Sequence, residues 1–326
     1  MEIRRIQIMG GGTSMVSLPK NWVEKRGLKK GSSVVIEETR DGSLLVYPDS
    51  SQKLVNEIQI NYISKQRESL LTQIIGAYLL GYDLIKITAE KRILFEDREI
   101  IKETIRKLVG LEVVEEDVSK IVAQFLPEAS SIDPERMLRM MSNIAVSMVD
   151  DVITSMVELD YNLAKIVMQR DEELDRLYFL IVRVVRGAVA SPRLGKKLAI
   201  DPVRCMDYRL ASKLVESIGD EAVKLASNVQ NLKSIPKGLQ ERMREIKLIL
   251  NQCQKYAVDA FIEGNNFKAK RALEMSNRLK DGLLSLELSL ATRGEAGILL
   301  PQLSSISRIV GLIADVADLA TPPLST

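Results

Sequence analysis

From Asp133 onward the sequence carries no strand pattern, and apolar residues recur every three or four positions. That spacing lays an apolar stripe along one face of a helix, so this half of the chain must fold as amphipathic helices that cover one another. Breaks fall near 158–160, 191–201, 235–238, 264–266 and 293–297, with Pro192, Pro202 and Pro236 in or beside them. A proline sits badly inside a helix, and five breaks leave six helices. The six read as three written twice. Setting the segment from Asp160 over the segment from Asn265 places Ala164 on Ala269, Lys165 on Lys270 and Leu174 on Leu279. A second pair, from Val215 and from Val310, places Ile218 on Ile313, Asp220 on Asp315 and Ala222 on Ala317. Two three-helix bundles are the simplest architecture for residues 133–322.

The first 132 residues are patterned differently. Residues 1–50 alternate as strands at IQI, SSVVIEE and SLLVY, with Pro19 opening a short helix, Gly27 closing it, and Asp41 and Gly42 marking a hairpin. Residues 53–127 predict a helix near 65–80, the strand DLIKIT, a helix near 98–109, and a hairpin from LEVVEED to KIVAQFL. Pro127 and Pro134 bracket a polar linker. The expected fold class is therefore multidomain: a small all-β domain at 1–50, a short α/β connecting domain at 53–127, and an all-α domain of two three-helix bundles at 133–322.

The composition removes several chemistries. With no histidine in 326 residues, His-dependent triads, HExxH zinc sites and imidazole bases are excluded, and carboxylates are the only plentiful hard ligands. Cys205 and Cys253 lie far apart without CxxC spacing, which predicts core residues rather than a disulfide or thiolate site. The formal charge of +2 confines any polyanion site to a local patch. No secretory signal pattern opens the chain, and Arg183 and Arg186 interrupt the apolar stretch LYFLIVRVVRGAVA, so the expectation is a cytoplasmic protein without a transmembrane segment. The glycine run Met9–Thr13 lacks the GK[ST] ending of a phosphate-binding loop and reads as a turn, and the methionines at 137–148 read as core packing.

Residues 11–38, with the apolar strand ending at Leu18, then Pro19 and Lys20, a short helix, Gly27 with Leu28, and the Gly31 turn, resemble the AbrB/SpoVT swapped-hairpin domain. The resemblance implies that two chains exchange hairpins into one barrel whose electropositive face binds DNA. A segment of about 50 residues with few large apolar side chains is near the lower limit for a self-sufficient core, which agrees with pairing. The basic residues Arg4, Arg5, Lys20, Lys25, Arg26, Lys29 and Lys30 all precede the acidic hairpin and are the candidate DNA contacts. The same residues would equally serve as a solvated surface around a domain that only dimerises.

The helical region, from about 135 to 320, resembles the PhoU family, through RDEELDRLYFLI at 170–181 and RLASKLVESIGDEAVKLA at 209–226. Each segment carries a carboxylate-xxx-carboxylate pair, Asp171 with Asp175 and Glu216 with Asp220, and residues four apart share a helix face. Four converging carboxylates call for a cation, so these are the candidate metal ligands. Oxygen ligands favour Mg, Ca or Mn, and the resemblance adds Fe or Zn. The alternative is a solvated face paired with Arg170, Arg176 and Lys213. The chain departs from the family pattern: the repeat sets Asp171 and Asp175 over Ser276 and Lys280, and Glu216 and Asp220 over Gly311 and Asp315. A Lys280–Asp315 ion pair could take the place of a second metal. Glu221 and Lys224 stand where relatives carry His and Asn.

The two resemblances together imply a non-enzymatic homodimeric transcription regulator of phosphate homeostasis, which contacts DNA and responds to phosphate status, a phosphate transporter subunit or a phosphate-signalling protein. Two rivals are a dimeric adaptor acting on a phosphate transporter without DNA, and a metal-dependent hydrolase using the four carboxylates.

Overall fold

The computed structural model describes residues 2–39, 42–49, 55–292 and 296–320, and the chain divides into two compact units that meet in sequence at Val55 and Asn56. Asp41 and Arg40 lie outside the described residues.

In the first unit, β1 (Gln7–Met9) pairs antiparallel with β2 (Thr13–Met15), helix α1 spans Lys20–Lys25, and β3 (Val34–Glu38) pairs antiparallel with β4 (Leu44–Pro48). The glycine run is the β1–β2 turn. Gly11 and Gly12 hold φ of 96° and 84° there, a left-handed region that side-chain-bearing residues rarely enter. Pro19 is the N-cap of α1, and Gly27, at φ 61°, leaves the helix. The first hairpin is shorter than the sequence predicts, since the sheet ends at Met15 rather than Leu18.

The second unit begins with β5 (Glu57–Asn61), α2 (Arg67–Leu79), β6 (Leu84–Thr88), α3 (Phe95–Lys107), β7 (Leu111–Glu116) and β8 (Lys120–Phe125). The sheet order is β5-β6-β8-β7, with β5 parallel to β6 and the other pairs antiparallel. Alternate residues Ile85, Ile87, Ile121, Ala123 and Phe125 pack with Leu70, Ile74, Tyr78, Ile101 and Ile105 of the two helices. Strand β5 is an addition to the sequence reading.

Six long helices follow: α4 (Pro134–Glu158), α5 (Tyr161–Ala190), α7 (Pro202–Val229), α8 (Lys237–Glu263), α9 (Asn266–Thr292) and α10 (Ala296–Asp318). A six-residue helix, α6 (Pro192–Lys197), fills the break after α5. The caps explain the boundaries. Asp133, Asp160 and Asp201 accept backbone N–H groups at the starts of α4, α5 and α7, while Leu159 and Gly264 turn left-handed at the ends of α4 and α8. Helices α4, α5 and α7 pack together, as do α8, α9 and α10, and α4–α8 and α7–α10 contacts join the bundles. One continuous core runs through both, including Met141, Met148, Leu174, Ile218, Phe261, Ile306 and Ile313.

By length and apolar content alone, α4 and the Leu299–Asp318 part of α10 could cross a membrane, so the apolar stretch in α5 is not the one to judge by; 56% and 50% of those windows are buried inside the helical packing. Cys205 and Cys253 are buried and free, and burial pushes the Cys205 thiol up to about 11.

Arg183, read above only as an interruption, has a structural role. It is buried on α5, donates to the carbonyls of Tyr78 in the last turn of α2 (2.8 Å) and Tyr82 just beyond it (2.9 Å), and lies 3.9 Å from the Phe125 ring centroid. Asp83 lies 3.4 Å away. Together with Leu180 and Val184, it fastens the α/β layer to the first bundle.

Candidate functional site

Asp171 and Asp175 stand one turn apart on α5, and Glu216 and Asp220 one turn apart on α7. Tyr178 lies beside Arg209 and Lys213, and Asp171 beside Gly219, so the two helices run antiparallel and bring both acidic pairs to one level. Gly219 permits the approach: a Cβ there would stand 2.3 Å from Leu174 Cδ2 and 3.4 Å from Asp171 Oδ1.

The electrostatics show the convergence. Desolvation raises the carboxyl pKa of Asp171, and the charges of Asp220 and Glu216 raise it further. Asp175 is pushed up to about 6, first by desolvation, then by Asp171, Glu216 and Asp220, with Lys213 opposing. The structure thus brings all four predicted acids into one electrostatic cluster. Lys213 supplies its cation, bonded to Glu216 and 3.9 Å from Asp220 Oδ2. Arg170 points elsewhere, to Asp151 and Ser147, each at 2.7 Å.

Among the described residues, no three Asp, Glu or Cys side chains already converge as a metal cage. The chemistry still fits a hard cation. Asp171 Oδ1 is buried beside Gly219 without a hydrogen-bond partner, a costly unsatisfied acceptor on a residue that already feels the charges of Asp220 and Glu216.

Among the described residues, the second bundle holds no equivalent cluster. Ser276 is buried against Cys253 Sγ at 3.3 Å, Gly311 offers no ligand, and Lys280 and Asp315 are both exposed. The Lys280–Asp315 pair does not form among the described residues; an exposed pair gains too little Coulomb energy to hold two side chains together. The pairing that sequence reasoning missed is at Glu221. Its buried carboxylate accepts Lys224 at 2.7 Å and Arg308 of α10 at 2.9 Å, tying the bundles together. The Glu221–Lys224 spacing was the available signal.

The first unit presents the other candidate surface. Arg4, Arg5, Lys20, Lys25, Arg26, Lys29 and Lys30 are all exposed. Arg4 pairs with Glu2, and Lys20 lies 3.8 Å from Glu24; the other five carry no ion pair among the described residues. None of the unit's described residues is buried, and Ile3, Ile6, Ile8, Ile36 and Leu44 are 60–88% exposed.

The chain thus combines a basic β-unit without a buried described residue and two helical bundles, the first of which carries the acidic cluster. Residues 7–53 match the family model described as antidote-toxin recognition MazE, bacterial antitoxin, and residues 138–229 match the PhoU domain model. The chain therefore carries a MazE/AbrB-like domain at its N-terminus and a PhoU domain in its helical part. No curated protein matches it. Among solved structures it is similar to the crystal structure of PhoU from Pseudomonas aeruginosa, at 17% identity and a TM-score of 0.46, over 59% of this chain and 95% of that one.

Proposed function

We propose that this protein is a cytoplasmic, homodimeric, DNA-binding transcription regulator of phosphate uptake, whose helical part responds to phosphate status through a transporter subunit or a phosphate-signalling protein. The observation that carries the reading is the first unit's lack of any buried described residue beside five unpaired cations. Isoleucines exposed to this extent are unfavourable in water and are covered by a second copy. Pairing doubles the cations on one surface, where they displace counterions from duplex DNA. The reading assigns no catalytic step.

The four carboxylates Asp171, Asp175, Glu216 and Asp220 would hold one divalent or transition metal ion, Mg, Ca, Mn, Fe or Zn, once Lys213 swings out. Such an ion would neutralise the cluster and fix α5 against α7. Elemental analysis of purified protein should lose this metal in the Asp171→Asn plus Asp220→Asn variant; unchanged stoichiometry removes the site.

The DNA surface is tested by changing Lys20 and Arg26 together to Ala and titrating the full chain against several duplexes. Affinity should fall by a similar factor on all of them, and the slope of log affinity against log salt should shrink by about 3 to 4 for four cations lost per dimer. An unchanged slope favours the adaptor reading, in which the unit only dimerises.

A further inference from the structure

The sheet of the second unit ends on two different edges. Strand β7 is bent by a register shift between Val113 and Glu115 and carries Glu112, Glu115 and Glu116, features that keep an edge from pairing. Strand β5 is less defended: its one carboxylate, Glu57, is paired with Lys86. It is regular over Glu57–Asn61, contains no proline or bulge, and continues its ladder to Tyr62, whose N–H donates to Thr88 O at 2.7 Å.

The parallel register fixes which backbone groups are used. Asn56 O accepts Leu84 N and Tyr62 N reaches Thr88 O, so the even-numbered residues face β6. The N–H and C=O groups of Glu57, Gln59 and Asn61 therefore point away from the sheet, and all three residues are exposed. Their side chains lean back onto β6: Glu57 meets Lys86 at 2.7 Å, and Gln59 Nε2 reaches Thr88 Oγ1 at 3.0 Å. The backbone edge is left open.

We propose that β5 pairs antiparallel with β5 of a second copy of this chain, centred on Gln59, joining the two four-stranded sheets into one of eight. The sequence is self-complementary about that centre. Gln59 meets its own copy, Glu57 meets Asn61, and Ile58 meets Ile60, so no like charges oppose one another. Two residues beyond each end, at the same parity, stand Val55 and Ile63, which are 55% and 54% exposed. Centring on Gln59 sets each of them opposite the other. All three outward residues then form hydrogen-bonded pairs, the arrangement that satisfies every free group on the edge.

This interface goes beyond the proposed function and does not depend on DNA binding or on the first unit pairing. The test uses the full chain with Gln59→Cys. Cα atoms in a hydrogen-bonded antiparallel pair lie about 5.5 Å apart, within disulfide reach, and the native cysteines are buried. Mild oxidation should yield a covalent dimer through that position, whereas Glu57→Cys alone should yield none. In wild-type protein, the amides of Glu57, Gln59 and Asn61 should exchange about 100-fold or more slowly than unpaired amides. Gln59→Pro should free the Glu57 and Asn61 amides and leave β6 protected, because the amide it removes faces outward. Fast exchange at all three amides in wild type overturns the proposal. So does protection without a cross-link through Gln59→Cys, which means that a different strand occupies the edge. Exchange in β1–β4 reports on the first unit separately, so its failure to pair is not confused with failure at β5.

Discussion

Burial, and after it the charges of Asp171, Glu216 and Asp220, push the Asp175 carboxyl up to about 6, and the sign of its effect on stability follows from that. The folded carboxyl holds its proton to a higher pH than the unfolded one, so native stability falls as pH rises from about 4 to about 6 and stays lowered above that range. Replacing Asp175 by Asn should stabilise the metal-free protein at pH 7.5 by about 1–2 kcal/mol after solvent screening, seen as a higher melting temperature, and the gain should vanish below pH 4. Thermal unfolding at both pH values checks it. Gly219 belongs to the same groove. An added methyl would stand 2.3 Å from Leu174 Cδ2, and Leu174 is fully buried, so Gly219→Ala should cost about 1–3 kcal/mol in a denaturant titration. At this scale the four acids stood out through the segments that carry the PhoU resemblance, and spacing added only that each pair shares a helix face. Lys213 as their cation was one choice among three basic residues, because spacing along a helix does not say which way a long side chain reaches. Glu221 was noticed only as a departure from a pattern, since its partner Arg308 lies on a distant helix.

The long helices were legible as elements because their apolar stripes persist over many turns and each break contains Pro, Gly or a capping Asp. Strand β5 was not: of its five residues only Ile58 and Ile60 are apolar, too few to show a period. Helix α3 begins at Phe95, ahead of the expected Arg98, as acidic Glu96 and Asp97 suit a first turn. Arg183 is the clearest case of what sequence cannot show, because its partners Tyr78, Tyr82 and Asp83 are about a hundred residues away and the pattern marks only a charge in an apolar run. Changing Arg183 to Met would strand the Tyr82 carbonyl, take one of two donors from the Tyr78 carbonyl, which keeps Gly81 N–H, and leave Asp83 without this cation. The expected loss is about 2–4 kcal/mol, with the 56–125 segment gaining hydrogen exchange before the helices do.

At the scale of the molecule, the division into a small β-unit and a large second unit follows the change of pattern along the chain, but the α/β layer and the helices share a unit because α5 gives Leu180 and Val184 to the core of the α/β layer and Ile181, Val182 and Val185 to that of the helices. The small unit has a net excess of only two positive charges over residues 1–50, so the proposed hold on a polyanion rests on placement and pairing rather than on total charge. The measurement that bears most directly on this is the affinity of the full chain for duplex DNA between 50 and 200 mM salt. The account predicts a linear fall of log affinity against log salt, with each phosphate contact contributing about 0.9 to the slope. Binding that is flat across that range, or absent at the low-salt end, contradicts it.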